Sequence, residues 1–294
     1  MAQENLSIEL SCVVCGHAPK TQHVPWVSKC PQCEVFRSTL WNEAVWEEKS
    51  SDLDEAQRFQ AIGELRKTYA RNILNIVNEI TPLKGKSLLD VGCGYGWFLE
   101  ASKGYSLLPT GIEPEAPIAE KARSKGLQVI NGLFPDCLNA DSTFDVLTFN
   151  DVLEHIPAVK EAVEATRKHL STGGHLVLVL PSSRGFFYRL ATVLSRFGLH
   201  GPYERLWQKQ FHSPHVTYFH DKNLEQLLVQ SGFRLVKKTT LPAFEVKGLW
   251  NRLAMTKKQS PVVLAAQWLV LALLAPVMRL LPQDIIMHVY RLEK

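Results

Sequence analysis

The chain has 294 residues, of which 46% are hydrophobic and 21% are charged, and this balance excludes wholesale disorder. Its length accommodates one sizeable domain with an appendage. The formal net charge of +4 is mildly basic and neither demands nor excludes a nucleic-acid partner. The opening residues, MAQENLSIEL, lack the basic start and apolar core of a signal peptide, so we expect a cytoplasmic protein. In that reducing compartment, the six cysteines argue against a disulfide framework.

Four of the cysteines form two closely spaced pairs near the N-terminus: Cys12, Cys15, Cys30 and Cys33. Each pair has the spacing C-x-x-C, and together they provide the four thiolates that a tetrahedral zinc site prefers. A redox-active pair is the alternative, although a single C-x-x-C is enough for that chemistry. We therefore predict a zinc-ribbon-like module in residues 1–38, with a structural zinc ion.

The segment that follows has a helical pattern, which begins near Glu34 and becomes clear toward residue 80. Apolar residues recur there at helix-face spacing: Leu65, Tyr69, Ile73, Leu74, Ile76, Val77 and Ile80. Acidic residues from Asp52 to Glu55 suit a helix start, because the N-terminal end of a helix attracts negative charge. We predict that residues 39–80 are a helical linker between the zinc module and the main domain.

Residues 87–180 alternate between strand-like and helix-like segments. The strand-like segments read SLLDV, LLPTGIEP, LQVING, FDVLTFN and GGHLVLVLPS, and helical patterns follow the first, second and fourth. This alternation is typical of βαβ units in a doubly wound, mostly parallel sheet. We therefore predict an α/β domain over residues 81–294.

A glycine-rich loop follows the first strand in the stretch LLDVGCGYGW, with Gly92, Gly94 and Gly96 at alternate positions. In doubly wound sheets, ligands bind beyond the carboxyl ends of the strands, where this loop lies. Glu113 ends the second strand roughly 20 residues later, where this architecture binds ribose hydroxyls. The spacing is GxGxG rather than GxGxxG, and Asp90 before the loop would repel a phosphate, so we expect a ligand without one there.

These motifs resemble those of class I S-adenosylmethionine-dependent methyltransferases over about residues 84–232. LLDVGCGYGWFLE is similar to the first family motif, GIEP to the ribose-binding acid, FDVLTFNDVLEHIP to the fourth-strand motif and LSTGGHLVLVLPS to the fifth. The resemblance implies a Rossmann-like sheet of seven strands and S-adenosylmethionine as the cofactor. It places these residues at the cofactor: Asp90, Gly92, Gly94, Gly96, Glu113, Leu133, Phe134 and Asn150.

The loop after the third strand departs from the family pattern. It reads NGLFPD, with Leu133 and Phe134 where the family usually has an acid that meets the adenine amine. We expect backbone amides, with Phe134 against the adenine ring, to take the place of that acid.

Two histidines are candidates for the base that methyl transfer needs when the acceptor must lose a proton. His155, in DVLEHIP, is the first candidate, and a purely packing role is its alternative; His215, in HSPHVTYF, is the second. The segment DVLEHIP also puts Asp151, Glu154 and His155 within one helical turn. Quinone-biosynthesis O-methyltransferases resemble this segment and use similar residues around a divalent metal, so the resemblance adds Mg²⁺ as a further expectation.

An apolar run without charge, residues 261–278, is long enough on its own to span a membrane. The family resemblance argues against a span. In that family the last two strands of the sheet form an antiparallel hairpin, here FRLVKKTT and IIMHVYRL, so both ends of the apolar run would lie on the same side of a membrane. We predict an apolar helical insertion in residues 244–282 that meets the membrane interface, a partner or the protein's own core. Basic residues flank it, as expected near anionic lipid: Lys247, Arg252, Lys257, Lys258 and Arg279.

The function expected from the sequence is methyl transfer to a small-molecule or lipid-linked acceptor, such as a saccharide, quinone or lipid precursor. RNA methylation, with the zinc module binding nucleic acid, is an alternative that the modest net positive charge disfavours. A non-catalytic scaffold that retains the fold is the alternative from another class, and the intact glycine motif disfavours it. The sequence places the protein in the cytoplasm or on the inner face of the membrane, and it does not indicate the oligomeric state.

Overall fold

The computed structural model describes residues 11–43, 55–242, 249–250, 260–278 and 280–293. The strands in these residues are β1 (Lys20–Thr21), β2 (Val27–Lys29), β3 (Phe36–Ser38), β4 (Ser87–Val91), β5 (Leu108–Glu113), β6 (Val129–Asn131), β7 (Phe144–Asn150), β8 (Leu170–Pro181), β9 (Thr217–Tyr218), β10 (Phe233–Leu241) and β11 (Ile285–Leu292). The α-helices include α1 (Glu55–Ile80), α2 (Trp97–Ser102), α3 (Ala116–Arg123), α4 (Val159–His169), α5 (Phe186–Arg196), α6 (Gly201–Leu206), α7 (Asp221–Gln230) and α8 (Pro261–Met278).

The larger sheet has seven strands in the order β10-β11-β8-β7-β4-β5-β6. β4, β5 and β6 are parallel, whereas β11 is antiparallel to both β8 and β10. Each of the five strand-like segments recognised in the sequence forms a strand, and helices follow the first, second and fourth of them. The predicted doubly wound, mostly parallel sheet is therefore confirmed.

The last two strands pair across the apolar run. β10 and β11 are antiparallel from Phe233 opposite Leu292 to Leu241 opposite Ile285, with a register shift between Leu235 and Lys237. The predicted pairing of FRLVKKTT with IIMHVYRL is confirmed. Because Leu241 and Ile285 are partners, the intervening segment begins and ends at the same end of two adjacent strands.

Within that segment, the apolar run forms helix α8, which contains Pro276. Its exposed large apolar side chains are Val262, Val263, Leu269, Val270, Leu273 and Val277. In the described part of the chain, no helix is both long enough and apolar enough to cross a membrane. The basic residues predicted to flank α8, from Lys247 to Arg279, lie outside the described residues.

The chain divides into two compact units. The cysteine unit comprises Met1–Glu47, Phe149–Leu241 and Asp284–Lys294, and the glycine unit comprises Glu48–Thr148 and Pro242–Gln283. The cysteine unit contains the smaller, four-stranded sheet in the order β1-β2-β3-β9. The glycine unit contains the glycine-rich loop between β4 and α2.

The four-stranded sheet joins the N-terminal segment to a strand from far along the chain. β3 is antiparallel to β9, with Phe36 opposite Tyr218 and Arg37 opposite Thr217. The helical pattern that begins near Glu34 is therefore wrong for β3, because pairing with distant β9 satisfies backbone groups that the local sequence leaves open.

Two further hydrogen bonds extend this pairing. The Ser38 amide donates to the Val216 carbonyl at 2.8 Å, and the Ser38 hydroxyl donates to the His215 carbonyl at 2.7 Å. The Arg37 guanidinium also donates to the Pro157 carbonyl at 3.2 Å. The end of β3 thus fixes the backbone around His215.

Aromatic side chains from both parts of the cysteine unit share one core. Its buried members are Val24, Trp26, Val27, Leu40, Tyr188, Ala191, Tyr203, Trp207 and Tyr218. The rings of Trp26 and Trp207 meet edge to face at 5.9 Å, and those of Tyr188 and Tyr218 lie 4.6 Å apart. Such ring pairs contribute about 0.5–1.5 kcal/mol beyond the area they bury. The N-terminal segment is therefore packed into this unit as an integral part of its core.

Candidate functional site

The glycine loop leaves the buried end of β4. Asp90, the fourth residue of that strand, is 2% exposed, and its carboxylate accepts a hydrogen bond from the Thr148 hydroxyl at 2.7 Å. Gly92, Gly94 and Gly96 have φ angles of 69°, 53° and 79°, which lie in the left-handed region that favours glycine. The backbone conformation of the loop therefore favours glycine at all three positions, whether or not a ligand approaches them.

Glu113 ends β5 and is bonded to this loop. Its Oε2 accepts the Gly94 amide at 2.9 Å, and its Oε1 accepts the Glu115 amide at 2.9 Å. Burial raises the pKa of the Glu113 carboxyl, and the two backbone hydrogen bonds oppose that rise. Since each carboxylate oxygen has two acceptor sites, Glu113 keeps the capacity to accept hydroxyl groups of a ligand.

Gly94 and Gly96 differ in what surrounds them. A Cβ added at Gly94 would meet nothing within 4 Å, whereas one at Gly96 would lie 2.2 Å from Cδ1 of Leu127. Gly94 borders open space, and Gly96 permits close packing at the start of α2. Both glycines have positive φ angles, but only at Gly96 would a side chain also clash with a neighbouring residue.

We expect Gly96→Ala to lower the free energy of unfolding by about 2–5 kcal/mol, from left-handed strain together with overpacking against Leu127. Gly126→Ala is the matched control, because Gly126 has a φ of 73° and nothing within 4 Å of an added Cβ. That control should lose only about 1–2 kcal/mol, from strain alone. Urea unfolding of both variants measures the difference, and equal losses would contradict the packing role of Gly96.

The loop after β6 begins beside Glu113. The Asn131 side-chain amide donates to the Glu113 carbonyl at 2.8 Å, and the Gly132 amide donates to the same carbonyl at 3.2 Å. Leu133 and Phe134 follow directly; Leu133 is 62% exposed and Phe134 is half-buried. Both residues thus lie on the loop next to the end of β5.

β7 ends at Asn150, and a turn follows it at once in the cysteine unit. Asn150 is half-buried, and Asp151 has a φ of 55° while its amide donates to the Val179 carbonyl at 2.9 Å. This left-handed residue redirects the chain into the short 3-10 turn Leu153–His155. The turn brings His155 to the start of the segment between β7 and α4.

His155 and His215 are in contact. Their ring centroids lie 4.6 Å apart at an interplanar angle of 65°. Nδ1 of His155 is 3.0 Å from the Pro214 carbonyl, which only accepts, so Nδ1 carries the proton and Nε2 carries a lone pair. Burial lowers the pKa of His155, although the Pro214 bond and the charge of Asp151 oppose this. Within the described ranges, Nε2 of His155 has no hydrogen-bond partner.

His215 is buried with both ring nitrogens engaged. The Gln208 side-chain amide is 3.0 Å from Nε2, and the Tyr218 hydroxyl is 3.1 Å from Nδ1. Because the Tyr218 hydroxyl donates to the Leu206 carbonyl at 2.8 Å, it accepts the proton of His215 Nδ1. Burial, and then the proximity of His155, lowers the pKa of His215 to about 3. His215 is therefore a neutral, fixed side chain at physiological pH.

Glu154, His155 and His215 form a cluster whose potential ligand atoms lie within 4.8 Å of one another. This set differs from the expected Mg²⁺ ligands, because His215 stands in place of Asp151. Mg²⁺ takes oxygen ligands in octahedral geometry, and both nitrogens of His215 are already engaged. The donor set does not fit Mg²⁺, and no catalytic step is assigned to that ion.

The four paired cysteines converge in the cysteine unit. Sγ of Cys12 lies 3.4 Å from Sγ of Cys33, and Sγ of Cys15 lies 3.4 Å from Sγ of Cys30. All four sulfur atoms lie within 4.8 Å of one another. The predicted clustering is confirmed, and four thiolates in this arrangement fit tetrahedral zinc.

Two residues that hold the histidine pair were not marked by the sequence, namely Gln208 and Ser38. Gln208 precedes His215 by seven positions, and Ser38 is the last residue of the predicted zinc-ribbon-like module. Neither has a local pattern that separates it from an ordinary surface polar residue. Their roles emerge only from pairing of segments that are distant in sequence.

A family model described as a methyltransferase domain matches residues 59–238. The chain belongs to the methyltransferase-domain family. The predicted methyltransferase family is therefore confirmed. Its curated relatives include the ubiquinone biosynthesis O-methyltransferase of Idiomarina loihiensis, which is 30% identical over 148 residues. The match covers 44% of this chain and 61% of that protein.

A second relative and a solved structure extend the comparison. The ubiquinone biosynthesis O-methyltransferase of Coxiella burnetii (strain Dugway 5J108-111) is 25% identical over 172 residues, which are 56% of this chain and 71% of that protein. A SAM-dependent methyltransferase from Archaeoglobus fulgidus is 18% identical with a TM-score of 0.51, and the match covers 80% of this chain and 96% of that one. The chain thus shares the fold of that structure. Its matches cover 61% and 71% of the lengths of the two curated relatives.

Proposed function

We propose that this methyltransferase transfers a methyl group from S-adenosylmethionine to a small-molecule or lipid-linked acceptor, with a quinone precursor as the favoured class. The observation that carries the proposal is the open space at Gly94 beside the buried carboxylate of Glu113. Relatives named ubiquinone biosynthesis O-methyltransferases support the acceptor class.

The residues proposed to hold the cofactor fit its chemistry. The backbone at Gly94 would accommodate the amino-acid end, Glu113 would accept hydrogen bonds from the ribose hydroxyls, and Phe134 would pack on the adenine. When bound, S-adenosylmethionine supplies a methyl group that its positive sulfonium has already activated. The full proposed set is Asp90, Gly92, Gly94, Gly96, Glu113, Leu133, Phe134 and Asn150.

On the acceptor side, we propose His155 as the general base. Its neutral Nε2 has the lone pair needed to take the proton of an acceptor hydroxyl. With the proton removed, that oxygen would displace the thioether sulfur of the cofactor at the methyl carbon, so that the carbon–sulfur bond breaks as the carbon–oxygen bond forms. His215, which the sequence offered as a second base, is proposed as a positioning residue, because both of its nitrogens are engaged. The ring of His215 packs edge to face against the ring of His155 and restricts its orientation.

The function is tested by incubating the protein with methyl-labelled S-adenosylmethionine and a fractionated bacterial extract. Label in the organic-soluble, phenolic fraction supports the proposal. Label in RNA would instead favour the nucleic-acid alternative, and label in saccharide alone would overturn the quinone class. Cofactor binding without label in any fraction would favour the scaffold alternative.

We expect His155→Gln to slow methyl transfer by about 10²–10⁴-fold, which is the usual contribution of a general base. Because the pKa of His155 is lowered, its base form persists as the pH falls, and the wild-type rate should decline only below the ordinary histidine value of about 6.5. Initial rates against pH measure this. The exposed His17→Gln is the control, and a His155→Gln variant that keeps the acid limb would contradict the assignment.

We further propose that Cys12, Cys15, Cys30 and Cys33 hold one structural zinc ion. Four thiolates close the coordination shell, which is typical of structural rather than catalytic zinc. In this proposal, residues 1–38 are the zinc-ribbon-like module, residues 39–80 are the linker and residues 81–294 are the methyltransferase domain with its insertion at 244–282. The module stabilises the cysteine unit, because its strand β3 pairs with β9.

The proposal also places α8 at the membrane interface, as a peripheral contact. The helix carries no charge, and its exposed apolar side chains include Leu269 and Leu273. An uncharged apolar helix on a protein surface is favoured where it meets acyl chains.

A further inference from the structure

A second exposed apolar surface lies on α5, in the cysteine unit, and we call it the α5 surface. It consists of Phe187, Leu190 and Val193 on the helix, with Phe197 and Leu199 just beyond its end. These side chains are exposed by 38%, 42%, 48%, 82% and 59%, respectively. The opposite face of α5 is buried through Tyr188, Ala191 and Ser195. Solvent thus covers large apolar groups along the whole helix.

The helix that carries the α5 surface is fixed at both ends. The amides of Phe187 and Tyr188 donate to Oδ1 of Asp284, at 2.8 Å and 3.3 Å. At the other end, the Ser195 hydroxyl lies 2.9 Å from Nε2 of His23 and 2.8 Å from Nδ1 of His200. The apolar side chains are therefore presented outward by an anchored helix, and their exposure is not a consequence of fraying.

The charges carried by residues 182–203 have one sign, and the carboxylate of Asp284 lies at the N-terminal end of α5. Residues 182–203 contain Arg184, Arg189 and Arg196 and no Asp or Glu. Arg184 pairs with Glu34 at 2.8 Å. Arg189 and Arg196 are exposed, and in the described portion of the chain neither has an ion-pair partner. The surface thus combines apolar anchors with two unneutralised cations.

This combination favours one kind of partner. Interfacial helices place apolar side chains among acyl chains and their basic side chains at anionic headgroups. A symmetric contact with a second copy would bring the same arginines together without an acid in residues 182–203 to offset them. Nucleic acid would match the arginines but would leave the isolated aliphatic side chains without a partner.

We propose that the α5 surface docks on an anionic lipid surface. The apolar side chains enter the acyl region, and Arg189 and Arg196 contact phosphate headgroups. The inference goes beyond the proposed methyl transfer and does not depend on it, because it rests on exposure and charge in the cysteine unit alone.

The experiment is vesicle flotation of the full-length chain, with phosphatidylcholine alone or with about one third phosphatidylglycerol. The background carries Leu269→Gln and Leu273→Gln, so that α8 does not dominate binding. In that background, adding Leu190→Gln, Val193→Gln and Phe197→Gln should lower the vesicle partition coefficient by about tenfold or more. Val229→Gln, a 53% exposed valine on α7, is the matched control and should leave the coefficient unchanged.

The arginines are tested separately. Arg189→Gln and Arg196→Gln should each lower binding to the anionic vesicles by about fivefold, with little effect on neutral vesicles, and high salt should reduce that difference. Circular dichroism shows whether each variant is folded. Cofactor binding by calorimetry is measured separately, so that failure of the proposed methyl transfer is distinguished from failure of this inference.

Three results would overturn the proposal. The first is equal flotation of the α5 triple variant and the Val229→Gln control. The second is loss of all flotation with the two α8 substitutions alone. The third is a wild-type dimer, seen by sedimentation without lipid, that the triple variant converts to a monomer while vesicles fail to bind the wild type. Tenfold weaker flotation by a folded triple variant supports it.

Discussion

Replacing Gly94 with valine is expected to weaken S-adenosylmethionine binding by about a hundredfold or more. A Cβ at this position enters open space, so the branched side chain would occupy the volume proposed for the amino-acid end of the cofactor. The φ of 53° adds strain, because β-branched residues rarely adopt left-handed backbone angles. Each 1.4 kcal/mol lost is tenfold in affinity, so moderate steric exclusion is enough for this effect. Calorimetry with purified protein measures it.

The companion variant is Glu113→Gln, which keeps the size of the side chain and removes its charge. A hydrogen bond to a charged group contributes about 1.5–3 kcal/mol, so affinity should fall by about 10- to 150-fold. Glu120→Gln is the control, because its carboxylate belongs to an exposed ion pair with Arg123 on α3. If folded Gly94→Val and Glu113→Gln both bind the cofactor as wild type does, the assignment of this loop is wrong.

Replacing Cys33 with serine is expected to abolish binding of the proposed zinc ion and to unfold β3 and β9 locally. Structural zinc contributes about 10–16 kcal/mol to the folding of small zinc modules, so a site with three cysteines should not keep the zinc-ribbon-like module folded. Cys33 is also tied to the rest of the unit, since the Asn223 side chain donates to its carbonyl at 3.1 Å. Elemental analysis should find about one zinc per chain in the wild type and much less in the variant.

Hydrogen exchange provides the second readout. Amides of residues 215–218 should exchange faster in Cys33→Ser, because β9 loses its partner strand and Ser38 no longer holds the backbone at His215. Cys137→Ser, at a half-buried cysteine outside the cluster, should retain both zinc and slow exchange. Slow exchange at residues 215–218 in a metal-free variant would show that the module folds without zinc.

The sequence predicts the larger sheet well because its signals are local. Buried strands of this domain are short apolar runs, and helices with one apolar face follow three of them. The pairing of β10 with β11 was also predictable, since the resemblance to the family supplies the hairpin. By contrast, β9 has two residues, and its partner β3 is some 180 positions away in the chain. No periodicity of two or 3.6 residues marks such a strand.

The site was predicted in part. Glu113 and Gly94 lie together as expected, but Gly96 has a packing neighbour in Leu127 that the motif does not reveal. A glycine needed for space and a glycine needed for packing look the same in a sequence when both have positive φ. Similarly, the choice between His155 and His215 depends on which ring nitrogens are engaged. That depends on Gln208 and on carbonyl groups of distant segments, which no residue pattern encodes.

The pairing of β3 with β9 has a consequence for how the protein is made. During synthesis, β3 emerges about 180 residues before its partner strand, which at typical elongation rates is roughly ten to forty seconds. For that interval, one edge of the nascent three-stranded sheet is open to pairing with other chains. Early capture of a metal ion by the four cysteines would hold this sheet in its native register while the ribosome completes the rest. The availability of zinc during translation, rather than afterwards, would then govern the yield of folded protein.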